Sequence, residues 1–252
     1  MSDYDRNYAA STRGYATDRA VIDAGLRAHM IRVYNYMAIG VALTGLVAWF
    51  TFQAAATTTA AGGLVLTPLG QTLFNSPLIW VLMLAPLALV FVISFGINRL
   101  SAPAAQALFF LYAGLLGLSL STIFIAFTAT SITRVFFISA AAFGGLSLWG
   151  YTTQRDLSGF GSFLIMGLFG IIIASLVNIF LKSSGLDWII SVIGVIVFAG
   201  LTAWDTQKIK EMYSPMDDGT IAGRKAVMGA LSLYLDFINL FLMLLRLFGD
   251  RR

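Results

Sequence analysis

Between Val33 and Asn98 the chain carries no charged residue. No water-facing fold tolerates such a run, since ordinary soluble domains hold roughly a quarter of their residues as Asp, Glu, Lys or Arg. The stretch is long enough for two helical crossings of a bilayer at about 20 residues each. The rest of the chain has the same bias: of 252 residues, 58% are hydrophobic and 11% charged. The bilayer is therefore the solvent, and a conventional soluble enzyme is excluded. Runs this long and uniformly apolar lack the alternation of barrel strands, so the spans are expected to be helices that satisfy their own backbone.

Residues 1–31 form a polar tail with Arg6, Arg13, Arg19 and Arg27, and Arg32 follows it. Within the tail, from Thr17, Ile22, Leu26 and Met30 recur every four residues while Arg19, Asp23 and Arg27 line another face, which predicts a short interfacial helix. The remainder, residues 32–249, divides into seven spans near 33–53, 77–98, 104–127, 135–151, 160–181, 188–207 and 226–248. Ala54, Ala55 and Ala56 mimic a signal-peptidase site, but the preceding apolar run exceeds an h-region of about 7–15 residues, so span 1 is expected to be retained.

Without cysteine the chain has no disulfide, thiolate metal site or cysteine nucleophile, and its single histidine, His29, lies outside the spans. The net charge of +4 is spread among apolar runs and reads as a topology signal rather than a nucleic-acid footprint. With the N-terminus inside, eleven Lys and Arg fall on the inner face and five on the outer, which favours a cytoplasmic N-terminus. Three of the outer five, Arg246, Arg251 and Arg252, follow or end span 7, so a re-entrant last segment is the competing topology.

Two acids fall within or beside apolar spans: Asp205 near the end of span 6 and Asp236 in the middle of span 7. A carboxyl group at membrane depth costs about 2.5–3.5 kcal/mol on the lenient scale and is by default functional. The structural alternative is a polar contact that locks helices together. Spans 2 and 6 are both even-numbered and emerge on one face, so Arg99 and Asp205 are expected at similar depth and able to pair; otherwise Arg99 is simply a positive-inside residue. Asp236 stands about 15 Å into its span. Asp205 is placed roughly 10 Å above it, and direct contact requires helix 6 to run deeper than its apolar stretch.

The stretch Ala203-Trp204-Asp205-Thr206-Gln207, followed by Ala230-Leu231-Ser232-Leu233-Tyr234-Leu235-Asp236-Phe237-Ile238-Asn239-Leu240-Phe241, resembles the C-terminal signature of the Bax inhibitor-1, or transmembrane Bax inhibitor motif, family. Val33-Tyr34 at the entry to span 1 and the start of span 3 fit the same pattern, so the resemblance covers roughly residues 28–249. It implies an all-α, seven-helix integral membrane protein with helix 7 central. It implies further a bacterial inner-membrane protein and a proton-sensitive calcium leak, with calcium as the transported ion and no cofactor. The paired aspartates of bacterial relatives correspond to Asp205 and Asp236, and the latching arginine to Arg99. Span 2 is uncharged here where a relative carries a glutamate, and Trp204 replaces the usual tyrosine.

Two carboxylates in a dry site resist double ionisation and titrate as a unit. The expectation is that proton uptake weakens an Arg99–Asp205 latch and moves helix 2 away from helices 6 and 7. Asp205 and Asp236 would then form a weak calcium site completed by water or carbonyls, since calcium prefers six to eight oxygens. Bacterial members of the family are also associated with a membrane-bound AAA protease, so a non-catalytic regulator docking through the tail is the alternative, against plain solvated disorder of that tail. An intramembrane aspartyl protease is remote, because Leu233-Tyr234-Leu235 replaces the Gly-x-Gly expected before the second acid. A retinal protein is excluded by the absence of lysine from span 7. Gly159-x-Gly161 is read as helix packing or a loop rather than a nucleotide signature.

Overall fold

The computed structural model describes the backbone of residues 3–58 and 63–252, with side chains for residues 23–57 and 63–252. Helix α1, Asp3–Ala55, leads to a small antiparallel hairpin of β1, Ala56–Thr58, and β2, Leu64–Leu66. There follow α2, Pro68–Phe74; α3, Leu78–Gly96, with a 3-10 turn at Ile97–Arg99; α4, Ala102–Leu120; and α5, Ile123–Ala126. The remaining helices are α6, Ala129–Thr152; α7, Ser158–Leu181; α8, Ser184–Glu211; and α9, Gly219–Phe248. Among the described residues seven segments are long and apolar enough to cross a membrane: Asp23–Ala55, Leu78–Arg99, Ala102–Ala126 and helices α6 to α9.

Helix ends follow the capping chemistry rather than the limits of the apolar runs. Ser101, Thr128, Ser183 and Asp218 each accept a backbone N–H from the first turn of α4, α6, α8 and α9. These caps sit in the polar connections, so α8 and α9 extend beyond the 188–207 and 226–248 stretches at both or one end. The third span is broken where the sequence predicted one helix over 104–127. Ser121 Oγ donates to Leu118 O at 2.6 Å and Thr122 Oγ1 to Ser119 O at 3.0 Å, which competes with continuation of the helix. Helix α1 passes through residue 32 without a break, so the segment beginning at Thr17 and the first span are one helix. The side chains of residues 1–22, on which most of the expected tail falls, lie outside the described residues.

Helix α9 is the axis of the bundle. In its most apolar window 72% of residues are buried within the protein, against 11% for α3 and α7. It packs on α8, α1, α6 and α4, while α3 leans chiefly on α4 and α7 on α8. Small residues permit the close approaches: Gly150 lies against the backbone of Ala203, and Gly229 against Ile209. Tyr234, fully buried in α9, bonds Thr44 Oγ1 of α1 at 2.6 Å, and Thr44 also donates toward Ala113 O of α4 at 2.8 Å. One hydroxyl pair thus ties three helices.

The C-terminus lies beside the start of α8, at the far end of the bundle from the α8–α9 connection. Thr128 N donates to Asp250 O and Arg252 N to Ala126 O, both at 3.0 Å. Arg246 and Arg251 face Asp187 at 3.4 and 3.6 Å, and Arg134 pairs with Asp250 at 3.1 Å. Helix α9 therefore runs the length of the bundle and does not turn back. Three of the positive charges gathered at this end, Arg134, Arg246 and Arg251, are paired with two acids, and Arg252 lies over the Phe52 ring.

Candidate functional site

The register of α8 against α9 brings the two membrane acids together. Ile209 covers Gly229 near one end of the seam and Met243 covers Gly194 near the other. In these antiparallel helices that alignment sets Asp205 level with Leu233, one turn above Asp236, or about 4.5 Å along the axis. The gap expected from the apolar run closes because α8 continues to Glu211, well beyond Asp205. The register places both carboxyl groups on the wall of one cavity, close enough for each to feel the charge of the other.

They share a cavity of about 320 Å³ lined by Leu168, Trp204, Lys208, Ser232 and Asn239 among others. Asp205 is half-buried near its mouth, whereas Asp236 is only 5% exposed and its Oδ2 has no hydrogen-bond partner among the described residues. Leaving a buried acceptor unpaired costs about 1–3 kcal/mol, so the arrangement is held against a local cost. Lys208 is the cation on the cavity wall, and its Nζ lies 4.9 Å from the centre of the Trp204 ring. Gly161 makes room for that ring: a Cβ there would fall 2.2 Å from Trp204 Cε2. The glycine pair at 159 and 161 thus serves, at its second member, to seat α7 on α8.

Arg99 is not brought to the acids. It is exposed in the turn after α3, and among the described residues it forms no ion pair with Asp205. Its neighbour Leu100 instead accepts from Arg224 Nε at 2.6 Å, which pins this turn to the start of α9. Helix α3 consequently stands on α4, away from α8. Lys208, Ser232 and Asn239 are site residues that the sequence reading did not single out. Ser232, Asp236 and Asn239 fall at i, i+4 and i+7, a single polar stripe on an apolar helix, and that spacing was the available signal.

No group of three or more His, Cys, Asp or Glu side chains occurs among the described residues. Any cation at this site meets two carboxyls, with the Ser232 hydroxyl and the Asn239 amide also on the cavity wall. Asn239 Nδ2 donates to Leu235 O at 2.8 Å, and the other atom of its amide is an acceptor.

Fold and site define a polytopic helical membrane protein with an acid pair set against its central helix. The family model described as inhibitor of apoptosis-promoting Bax1 matches residues 26–252, and the chain belongs to this Bax inhibitor-1 family. It is 51% identical to the inner membrane protein YbhL of Escherichia coli K12 over 232 residues, 91% of this chain and 94% of that protein. An uncharacterized protein of Rickettsia prowazekii is 45% identical over 252 residues and the full length of both chains. An uncharacterized membrane protein of Streptococcus pyogenes is 39% identical over 232 residues, 90% of this chain and 94% of the relative.

Proposed function

We propose that this protein is a proton-sensitive calcium leak of a bacterial inner membrane, with its N-terminus in the cytoplasm, and that Asp205 and Asp236 gate it. The observation that carries the reading is the pair of carboxyls on the wall of one cavity at membrane depth. Such a pair binds protons as a unit, so its charge changes in steps that neither acid would show alone. A singly protonated pair carries one negative charge and a fully ionised pair two, so proton uptake loosens the hold of the site on any cation, whether calcium or a guanidinium. Water completes the weak coordination, as suits passage rather than storage.

Arg99 acts in this scheme as a latch in a second conformation. Helix α3 leans on α4 rather than on the α8–α9 seam, so it can move by giving up the Arg224–Leu100 hydrogen bond without dismantling the core. Its C-terminal turn emerges at the end of the bundle where α8 ends, within reach of the cavity mouth if α3 shifts toward α8. Contact with ionised Asp205 would then close the site, and protonation would release it. The assignment is to transport rather than to catalysis, and the unbroken course of α9 through Asp236 supports that choice over a protease that must unwind a substrate helix.

The test is calcium flux in proteoliposomes between pH 5 and 8. Wild type is expected to show a pH-dependent leak, and Asp205→Asn and Asp236→Asn to flatten it. A leak with the same pH profile in both variants as in wild type overturns the proposal.

A further inference from the structure

On another side of α9 from the acid pair, α1 and α6 both rest on the central helix and meet each other chiefly through the hydrogen bond between the Tyr34 and Ser147 hydroxyls. The gap between them holds two adjoining cavities. One, of about 510 Å³, is lined by Arg27, Met30, Ile31, Tyr34, Phe143 and Leu148 among others. The other, of about 320 Å³, shares Tyr34 and Phe143 and continues to Ala42 and Phe136, with Phe237 of α9 as its floor. The lining runs from Arg27 to Ala42 on α1 and from Phe136 to Tyr151 on α6, so each wall spans fifteen helical steps. That is about 22 Å, longer than the roughly 15 Å of hydrocarbon in one leaflet.

The groove is apolar except at its floor, where the Tyr34 hydroxyl of α1 hydrogen-bonds the Ser147 hydroxyl of α6, and it is charged at one end. Ile31 and Leu148, on its rims, are 49% and 64% exposed and face the surroundings that in a membrane are lipid. At the closed end of the groove toward the loops, Arg27 is exposed and has no ion-pair partner among the described residues. Nearby, Lys210 Nζ donates to Tyr151 O at 3.0 Å, which adds a second positive group beside the mouth.

We propose that this groove binds one anionic phospholipid, its phosphate at Arg27 and one acyl chain between α1 and α6. An acyl chain gains little by leaving a bilayer for an apolar groove, because the two environments are equally dry. Selectivity therefore rests on the headgroup. A basic residue beside the membrane surface favours an anionic lipid about fivefold. The site is separate from the acid cavity and does not depend on the calcium reading.

Gly144 supplies the means of testing it. A Cβ at this position meets nothing within 4 Å, so Gly144→Trp fills the groove without displacing a neighbour's backbone. Gly170, on the outer face of α7, is equally open, and Gly170→Trp is the matched control. The full-length protein, titrated with dioleoyl phosphatidylglycerol or dioleoyl phosphatidylcholine, is examined by native mass spectrometry. Wild type and Gly170→Trp are expected to retain one phosphatidylglycerol about fivefold better than phosphatidylcholine. Arg27→Gln should remove the preference, and Gly144→Trp the retention. A photoactivatable acyl chain added to wild type should label α1 and residues 136–148 above α3 and α7. Equal retention by Gly144→Trp and Gly170→Trp, an unchanged preference in Arg27→Gln, or labelling spread evenly over the outer helices overturns the proposal.

Discussion

Asp236 and Phe237 are neighbours in sequence and stand about 100° apart around α9. Each looks into a gap in the ring of helices. Asp236 faces the α7–α8 side, where the gap is lined by a second acid, a lysine, a serine and an asparagine. Phe237 faces the α1–α6 side, where it meets Phe136 and Phe143 edge-on, each at 5.6 Å between ring centres. A missing contact lies behind both: α7 packs on α8 but not on α9 at the acid cavity, and α1 and α6 stand apart at the apolar groove. What differs is which side chain the central helix presents. Polar groups at the first gap lower stability locally and supply chemistry, while aromatic packing at the second holds the bundle.

That contrast is open to a direct break. Phe237→Ala deletes a ring that is 3% exposed and should lower stability by about 3 kcal/mol or more. Asp236→Leu, of similar bulk, removes an unpaired acceptor and should leave stability unchanged or raise it, while abolishing any pH response of flux. Thermal unfolding in detergent, followed by helical circular dichroism, compares the two. A larger loss for Asp236→Leu than for Phe237→Ala would show that the acid pair, not the aromatic floor, holds the bundle.

A smaller effect is expected at the wall of the acid cavity. Gly161→Leu drives a side chain into Trp204 and should cost about 1–3 kcal/mol by forcing α7 off α8. If the cavity mouth depends on that seat, accessibility of Asp205 to a water-soluble carboxyl reagent should rise in this variant while the groove lined by Phe143 is unaffected. Equal reactivity in wild type and Gly161→Leu would remove α7 from the description of the site.

The smallest effect lies in the connection between α6 and α7. Asp156 Oδ1 accepts from Ser158 N at 2.8 Å, and this hydrogen bond holds the Asp156 carboxyl below its ordinary range. The folded-state value is the depressed one, so the bond's contribution is present above about pH 4, where the unfolded carboxyl is also ionised, and is lost as pH falls through the lower folded value. Asp156→Ala should therefore lower the unfolding temperature slightly at pH 7 and converge with wild type at the acid end. A difference that grows on acidification would contradict the assignment.

Most of the transmembrane plan was legible because it is written in one dimension. Charge-free runs bounded by Ser, Thr, Asp and Gly mark helices whose ends vary only by where the caps fall, as at Ser183 and Asp218. Asp205 and Asp236 stood out for the same reason, as acids in apolar surroundings. The break at Ser121 and Thr122 was not legible, since hydroxyls that bond back to their own helix continue some helices and end others. Nor was the seat of Trp204 on Gly161, which depends on two helices meeting at one height.

The sequence by itself determined that this chain is a helical membrane protein, how many apolar spans it has, and which two acids are out of place within them. Hydropathy and capping act within a few turns, and a single sequence contains them fully. Only the tertiary structure decided that Asp205 and Asp236 line one cavity, that Lys208 lines it with them, and that Arg99 stands apart in this conformation. Those outcomes rest on register. The fit of Gly229 under Ile209 and of Gly194 under Met243 sets the slide of α8 along α9, and a further turn of slide away from Asp236 would double the axial offset of the pair.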